Sequence, residues 1–131
     1  MARILIIDDD ERVLRSLGRL LTAEGYEVET AAGGALAMKA FERNAADLVI
    51  TDINMPEMDG IEVITTLQDL HPAVPIIAIS AGGLFPKELL LQNADMLGAI
   101  ATITKPFDID TLLEAVADAL AGDGSMDDVT S

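Results

Sequence analysis

Short runs of apolar, often β-branched residues alternate five times with longer stretches in which apolar residues recur every three or four positions. The short runs predict β-strands over residues 3–8, 26–31, 47–52, 74–80 and 99–104. Three of them contain the nearly continuous apolar sequences ILII, LVI and PIIAI, which are typical of strands covered on both faces of a parallel sheet. The run YEVETA alternates instead, which predicts a strand near an edge of the sheet.

The longer stretches predict five helices, over residues 11–25, 34–45, 60–70, 86–97 and 108–121. Asp10 is a suitable N-cap for the first helix, and Gly25 is a suitable stop. The apolar positions of the first and last helices each form one stripe, made of Val13, Leu14, Leu17, Leu20 and Leu21 and of Ile109, Leu112, Leu113, Val116 and Leu120. Five strand–helix units indicate an α/β fold with an open, doubly wound parallel sheet.

The charge balance narrows the classes of ligand. Among 131 residues, 23 are acidic and 8 are Lys or Arg, so the formal net charge is −15. A chain this acidic is not expected to bind nucleic acid directly or to associate with an anionic membrane, because both are bound through clustered Lys and Arg. Basic protein surfaces and divalent cations are its natural complements.

Length and cysteine content set further limits. The chain is long enough for one domain with a single sizeable core, and it has no cysteine for a disulfide framework or a thiolate metal site. The start MARILIIDDD has no cleavage region of a signal peptide, so we expect a cytoplasmic protein. The segment GDGSMDDVTS has no apolar periodicity, which predicts a folded domain over residues 1–121 and a disordered acidic tail over 122–131.

Polar residues follow four of the five predicted strands. Asp8, Asp9 and Asp10 follow the first, Asp52 ends the third, Ser80 ends the fourth, and Thr104-Lys105-Pro106 follows the fifth. Ligands of doubly wound sheets bind beyond the carboxyl ends of the strands, where the strand order reverses. If the first and third strands are neighbours, their carboxylates converge, and oxygen ligands without His or Cys suit Mg²⁺ or Mn²⁺.

A hydroxyl and an ammonium at the same edge would stabilise an anion beside that metal. Ser80 and Lys105 supply these groups, and Asp52 supplies a carboxylate that can attack in line. Together these are the parts needed to transfer a phosphoryl group to Asp52.

The sequence segments ILIIDDD, LVITDINMPEMDG, IIAISA and ITKPF, in this order and spacing, resemble the receiver domain of bacterial response regulators, over nearly the whole chain. The resemblance implies a flavodoxin-like fold with strand order 2-1-3-4-5. It also implies a protein of two-component systems that is phosphorylated in a Mg²⁺-dependent, self-catalysed reaction and that is not an enzyme acting on an outside substrate.

The resemblance also implies a role for each site residue. Asp52 is the phosphoacceptor and also belongs to the metal site, in which Asp9 is a direct ligand of Mg²⁺ and Asp8 acts through water. Asn54 falls at the position whose backbone carbonyl binds the metal. The remaining positions hold the phosphoryl group and respond to it: Ser80, Ala81, Lys105 and Pro106. Pro106 helps to place the lysine, because the peptide bond between them is typically cis in the family.

One position departs from the family pattern. Three residues before the lysine, where an aromatic residue usually reports phosphorylation by rotating inward, this chain has Thr102. We expect a stand-alone receiver, monomeric or weakly dimeric, that accepts phosphate from a histidine kinase or phosphotransfer protein and signals through contact with a downstream target protein. The alternatives are a receiver-like interaction module that does not need phosphate, and a receiver fragment of a larger regulator or hybrid kinase.

Two other classes of protein share part of the pattern. Asp8-Asp9-Asp10 after an apolar strand resembles the nucleophile motif of aspartate-based phosphatases, but the fifth motif position is Arg12 where Thr or Val is expected. Asp52-Ile53-Asn54 resembles the start of a calcium loop, but Pro56 and the lack of acidic residues at later ligand positions argue against an EF-hand.

Overall fold

Five parallel strands form the centre of the molecule in a computed structural model, which describes residues 2–52, 65–67, 69–71, 73–80, 101–104 and 108–122. The strands are β1 (Arg3–Ile7), β2 (Glu27–Ala31), β3 (Leu48–Asp52), β4 (Ile76–Ser80) and β5 (Ala101–Thr104). Their order in the sheet is β2-β1-β3-β4-β5, and every neighbouring pair is parallel. The predicted strand order and α/β class are therefore confirmed, and the alternating strand β2 lies at an edge as predicted.

Three helices lie wholly within the described residues: α1 (Glu11–Ala23), α2 (Gly34–Arg43) and α3 (Ile109–Gly122). Residues 65–67, 69 and 70 are also helical, within the helix predicted over 60–70. The helix predicted over 86–97 and the tail residues 123–131 lie outside the described residues. Within the part of the chain that is described, no helix is long and apolar enough to cross a membrane.

Alternation along the strands divides the apolar residues between two cores, one on each face of the sheet. On one face Ile4, Ile6, Leu48 and Ile50 pack with α1 and α3. On the other face, neighbours such as Leu5 pack with Ala37, Ala40 and Phe41 of α2 and with Leu67. Successive strand residues point to opposite faces, so a sheet covered on both sides needs the unbroken apolar runs seen in the sequence.

Helix α1 is defined at both ends by the residues predicted to do so. The Asp10 side chain accepts a hydrogen bond from the backbone N–H of Arg12 at 2.9 Å, as an N-cap does. At the other end Gly25 has a φ of 100°, its N–H donates to the Thr22 carbonyl, and the Tyr26 N–H donates to the Leu21 carbonyl. This pair of bonds is a Schellman motif, and it turns the chain directly into β2.

The apolar stripe predicted for α3 is buried along most of its length. Leu112 and Val116 are fully buried, whereas Ile109 is 57% exposed. Ile109 is the first residue of α3, so it lies at the very start of the helix face that packs on the sheet. Ala119, which was not part of the predicted stripe, is buried near the other end of the helix.

Two glycines of the α1–β2 unit should respond oppositely to substitution by alanine. Gly25 has a positive φ, so Gly25→Ala should lower the free energy of unfolding by about 1–2 kcal/mol through backbone strain. Gly18 lies inside α1, where an added Cβ would be 3.8 Å from Thr30 Cγ2. Gly18→Ala should therefore raise the free energy of unfolding by roughly 0.5–1 kcal/mol through helix propensity. Urea unfolding of both variants measures this, and effects of the same sign would contradict it.

Candidate metal centre

The strand order reverses beside β1, and this is where the predicted acidic residues meet. The chain passes from β1 to β2 on one side and then returns to place β3 on the other side. Ile7 of β1 is in register with Thr51 of β3, so Asp8 and Asp52, the next residues, emerge side by side at the carboxyl edge. Such a reversal leaves a crevice between the two connections, which is where doubly wound sheets bind ligands.

Three carboxylates converge in this crevice. One oxygen each of Asp8, Asp9 and Asp52 lies within 4.8 Å of the others. Asp8 and Asp52 are 2% and 5% exposed, while Asp9 is exposed to solvent. Asp8 and Asp52 thus form the buried part of the cluster, and Asp9 leaves it accessible to solvent on one side.

Hydrogen bonds orient the carboxylate of Asp8. Its Oδ1 accepts the backbone N–H of Asp10 at 2.9 Å, and its own N–H donates to the Ala31 carbonyl at 3.2 Å. The second bond continues the β1–β2 ladder by one residue beyond the strand. Asp8 is therefore fixed by both the edge of the sheet and the start of α1, which leaves its side chain little freedom.

Asp10 belongs to the helix and is not part of the carboxylate cluster. The Arg12 backbone N–H that it accepts holds the pKa of the Asp10 carboxyl below its ordinary value of 3.8, and this outweighs the opposing effect of desolvation. The Arg12 guanidinium, with Nε 3.5 Å from Oδ1, lowers the pKa of Asp10 further. This confirms the prediction that Asp10 is an N-cap.

Thr51 was not among the predicted site residues, yet it supports the end of β3. Its side chain is fully buried, and its hydroxyl donates to the Asp52 carbonyl at 3.1 Å. In the sequence, the one indication of this role is that a hydroxyl residue stands between the apolar run LVI and Asp52. A β-branched residue suits a buried strand, and the hydrogen bond satisfies its polar atom there.

The other predicted site residues are only partly covered by the structure. Ser80 is the last residue of β4 and is in register with Thr104, the last residue of β5, so the two residues end neighbouring strands. Thr102 lies within β5, opposite Ala78. The remaining predicted residues lie outside the described part of the chain: Asn54, Ala81, Lys105 and Pro106.

The chemistry of the cluster fits a hard divalent cation. Its ligands are all carboxylate oxygens, with no His or Cys in the cluster, and such sets bind Mg²⁺ or Mn²⁺. Three like charges within 4.8 Å repel each other, and a cation of charge +2 among them offsets that repulsion. The cluster of Asp8, Asp9 and Asp52 is thus consistent with a Mg²⁺ site.

Comparison with known families identifies the fold and the pocket together. The family model described as "Response regulator receiver domain" matches residues 4–117. The chain belongs to this family. Receiver domains act in two-component signal transduction and are not conventional enzymes, as the sequence resemblance implied. The cluster of Asp8, Asp9 and Asp52 is therefore the acidic pocket of a receiver domain.

Relatives with similar sequences differ in how much of their length this chain spans. It is 40% identical over 119 residues to the transcriptional regulatory protein GlrR of Escherichia coli K12, covering 91% of this chain but only 26% of that protein. It is 35% identical over 115 residues to sporulation initiation phosphotransferase F of Bacillus subtilis, covering 87% of this chain and 90% of that protein. The chain thus corresponds to about a quarter of one relative and to most of another.

Solved structures of receivers superpose on the chain over nearly its full length. A CheY-like receiver domain protein from Methanospirillum hungatei is 31% identical, with a TM-score of 0.88 and coverage of 96% of this chain and 98% of that one. The response regulator TrrA of Thermotoga maritima, solved in complex with Mg(2+)-BeF, is 34% identical, with a TM-score of 0.80 and coverage of 92% and 100%.

Removing one carboxylate from the cluster should have opposite consequences with and without metal. In EDTA, Asp9→Asn should raise the free energy of unfolding by up to about 1 kcal/mol, because repulsion across about 5 Å is partly screened at an exposed residue. Added Mg²⁺ should stabilise the wild type more than the variant, which has lost one metal ligand. Thermal unfolding with EDTA and with Mg²⁺ measures both effects.

Glu11→Gln is the matched control, because it removes an exposed carboxylate two residues away that is outside the cluster. It should leave the stabilisation by Mg²⁺ unchanged. Equal stabilisation of wild type and Asp9→Asn by Mg²⁺ would contradict a metal site that includes Asp9.

Proposed function

We propose that this chain is a stand-alone receiver that accepts a phosphoryl group on Asp52 and signals by changing its contacts with other proteins. The observation that carries the proposal is the position of Asp52, 5% exposed at the end of a buried strand and within 4.8 Å of two further carboxylates. A charge placed there costs stability, and a site for metal-assisted phosphoryl transfer accounts for that cost.

In the proposed reaction an oxygen of Asp52 attacks the phosphorus of a phosphohistidine in a partner protein. The new P–O bond makes an acyl phosphate while the P–N bond breaks, and the histidine nitrogen takes back its electron pair. Asp8, Asp9 and Asp52 would hold Mg²⁺, Asp9 directly and Asp8 through water, together with the backbone carbonyl of Asn54. The metal, when bound, offsets negative charge on the phosphoryl oxygens.

Ser80 and Lys105 are proposed to hold the phosphoryl group, with Ala81 and Pro106 beside them in sequence. The pairing of Ser80 with Thr104 supports this, because both residues lie at the carboxyl edge of the sheet and Thr104 directly precedes Lys105 in the sequence. Asp52 ends the neighbouring strand β3, where it pairs with Ile79, the residue before Ser80. A hydroxyl and an ammonium at this edge would stabilise the phosphoryl group on Asp52.

The proposed partners are a histidine kinase or phosphotransfer protein as donor and a downstream protein as target, in the cytoplasm. The chain's match to most of the length of a B. subtilis phosphotransferase supports a receiver acting by itself, over residues 1–121. The alternative, a receiver portion of a longer regulator, has the relation to GlrR in its favour.

A second candidate function is a receiver-like interaction module that signals without phosphate. The observation favouring it is Thr102, which occupies β5 at the position where receivers usually have an aromatic residue. Under this alternative, partner binding is the same with and without the phosphoryl group. The intact acidic cluster favours the phosphorylated receiver, since a module that had no use for phosphate would have no need of three converging carboxylates.

Phosphorylation of Asp52 can be tested with a small phosphodonor. We expect the intact mass of the protein to rise by one phosphoryl group on incubation with acetyl phosphate and Mg²⁺, and not to rise in EDTA. Asp52→Asn should abolish the gain, because the amide cannot act as the acceptor. Intact-protein mass spectrometry measures the gain directly.

Asp47→Asn is the matched control, since Asp47 immediately precedes the same strand but lies at its opposite end, where its carboxylate accepts the Arg3 N–H at 2.8 Å. It should be phosphorylated as the wild type is. A gain that persists in Asp52→Asn, or no gain in a wild type shown to bind Mg²⁺, would contradict the proposal.

A further inference from the structure

An open groove runs along α1 beside the edge strand β2, from Glu11 and Ala32 to Thr22 and Ala23. Its volume is about 830 Å³, and none of Asp8, Asp9 and Asp52 lines it. Gly18 contributes to the groove because it has no side chain, and a Cβ there would lie 3.8 Å from Thr30 Cγ2. The helix and the strand thus leave an open depression on the surface, bordered by the edge strand of the sheet.

Two arginines give this groove a charge opposite to that of the protein. Arg15 and Arg19 lie one helical turn apart on α1, line the groove and are exposed. Neither forms an ion pair with any residue of the described part of the chain, although Glu11 lines the groove one turn before Arg15. Of the other described cations, Lys39 likewise forms no ion pair within the described residues, whereas Arg3 pairs with Glu27 and Glu29, Arg12 with Asp10, and Arg43 with Glu29.

The lack of ion pairs at Arg15 and Arg19 within the described residues matters because the chain is strongly acidic. The chain has 23 acidic residues for 8 Lys and Arg, yet Arg15 and Arg19 have no carboxylate partner among the described residues. Two neighbouring arginines without one, beside the open groove, therefore form a surface complementary to an acidic segment.

We propose that the groove is the docking site of this chain's own acidic segment, residues 123–131. This segment, DGSMDDVTS, contains three aspartates and no cation. It follows Gly122, the last residue of α3. Helices α1 and α3 cover the same face of the sheet, and Leu21 and Ala119, each near the end of its helix, belong to one apolar cluster. Gly122, from which the segment continues in sequence, therefore lies at the edge of the sheet where the groove ends at Thr22 and Ala23.

The distances suit this occupant. Crossing from α3 to the far side of α1 takes about 15 Å, from an interaxial distance of about 10 Å and a helix radius of about 5 Å. Arg19 lies four residues before Ala23, or about 6 Å along the helix. The two displacements are roughly perpendicular and combine to a straight distance of about 16 Å. An extended chain advances about 3.4 Å per residue, so Asp127 and Asp128, five and six residues after Gly122, have roughly 17–20 Å of chain with which to reach Arg19.

Each ion pair in the groove is expected to be weak, because exposed pairs contribute only about 0–1 kcal/mol. Tethering compensates, since a short flexible linker gives the segment an effective concentration on the order of mM at the groove. A segment with no apolar periodicity can lie there extended without a helix or strand of its own. The result is a contact that forms and releases readily and that high salt weakens.

A nitroxide on the acidic segment tests this in the full chain. The protein has no cysteine, so Ser125→Cys gives a single attachment point. We expect paramagnetic broadening of the amides of Gly18, Thr22 and Thr30, with Thr30 the most informative because it belongs to the edge strand across the groove. Arg15→Gln combined with Arg19→Gln should restore the Thr30 signal, and Ala40, on the other face of the sheet, should stay sharp throughout.

Arg12→Gln is the matched control, since it removes the same charge from the same helix without touching the lining of the groove. It should leave the broadening intact. Broadening that is absent, equal in all three arginine backgrounds, or transferred between molecules when labelled and isotope-enriched chains are mixed would overturn the proposal. The last result would identify a second copy as the occupant, and perturbation of the groove only by an added polyglutamate peptide would identify an acidic partner.

Discussion

Mutual repulsion among Asp8, Asp9 and Asp52 is the constraint on which the rest of the structure depends. The parallel register of β1 and β3 brings two of these carboxylates to adjacent strand ends, and the start of α1 brings the third. Such an arrangement lowers the free energy of unfolding unless a cation or a protein ammonium offsets the repulsion. Burial of the two apolar cores stabilises the fold by more than this repulsion destabilises it.

Those cores also explain why the site is rigid. β1 and β3 are fully covered on both faces, and their successive residues alternate between the α2 side and the side of α1 and α3. A slip of one residue in β1 would draw Arg3 or Asp8 into the apolar layers, so the polar residues at the strand ends help to specify the register that aligns Asp8 with Asp52. The hydrogen bonds from Asp10 to Asp8 and from Thr51 to the Asp52 carbonyl then fix the strand ends themselves.

Much of this could be predicted from the sequence, because the apolar periodicity reports which faces of each element are buried. The strands, the caps at Asp10 and Gly25, the edge position of β2 and the meeting of the carboxylates all follow from it. Ile109 shows what periodicity cannot predict. Its spacing puts it on the apolar stripe of α3, but spacing does not reveal that the first residue of the helix remains exposed. The groove beside Gly18 could not be predicted from the sequence for a related reason. It depends on the distance between α1 and β2, which the spacing of residues along the chain does not determine.

The central claim is that this chain of 23 acidic residues directs a divalent cation to one place, and trace Mn²⁺ observed by NMR tests it most directly. Paramagnetic broadening should appear first at the amides of Asp8, Asp9 and Asp52. The amides of Arg3 and Asp47, at the opposite edge of the same strands, should remain sharp at the same metal concentration. Broadening spread evenly over the acidic surface, or beginning elsewhere, would contradict a metal centre at the carboxyl ends of β1 and β3.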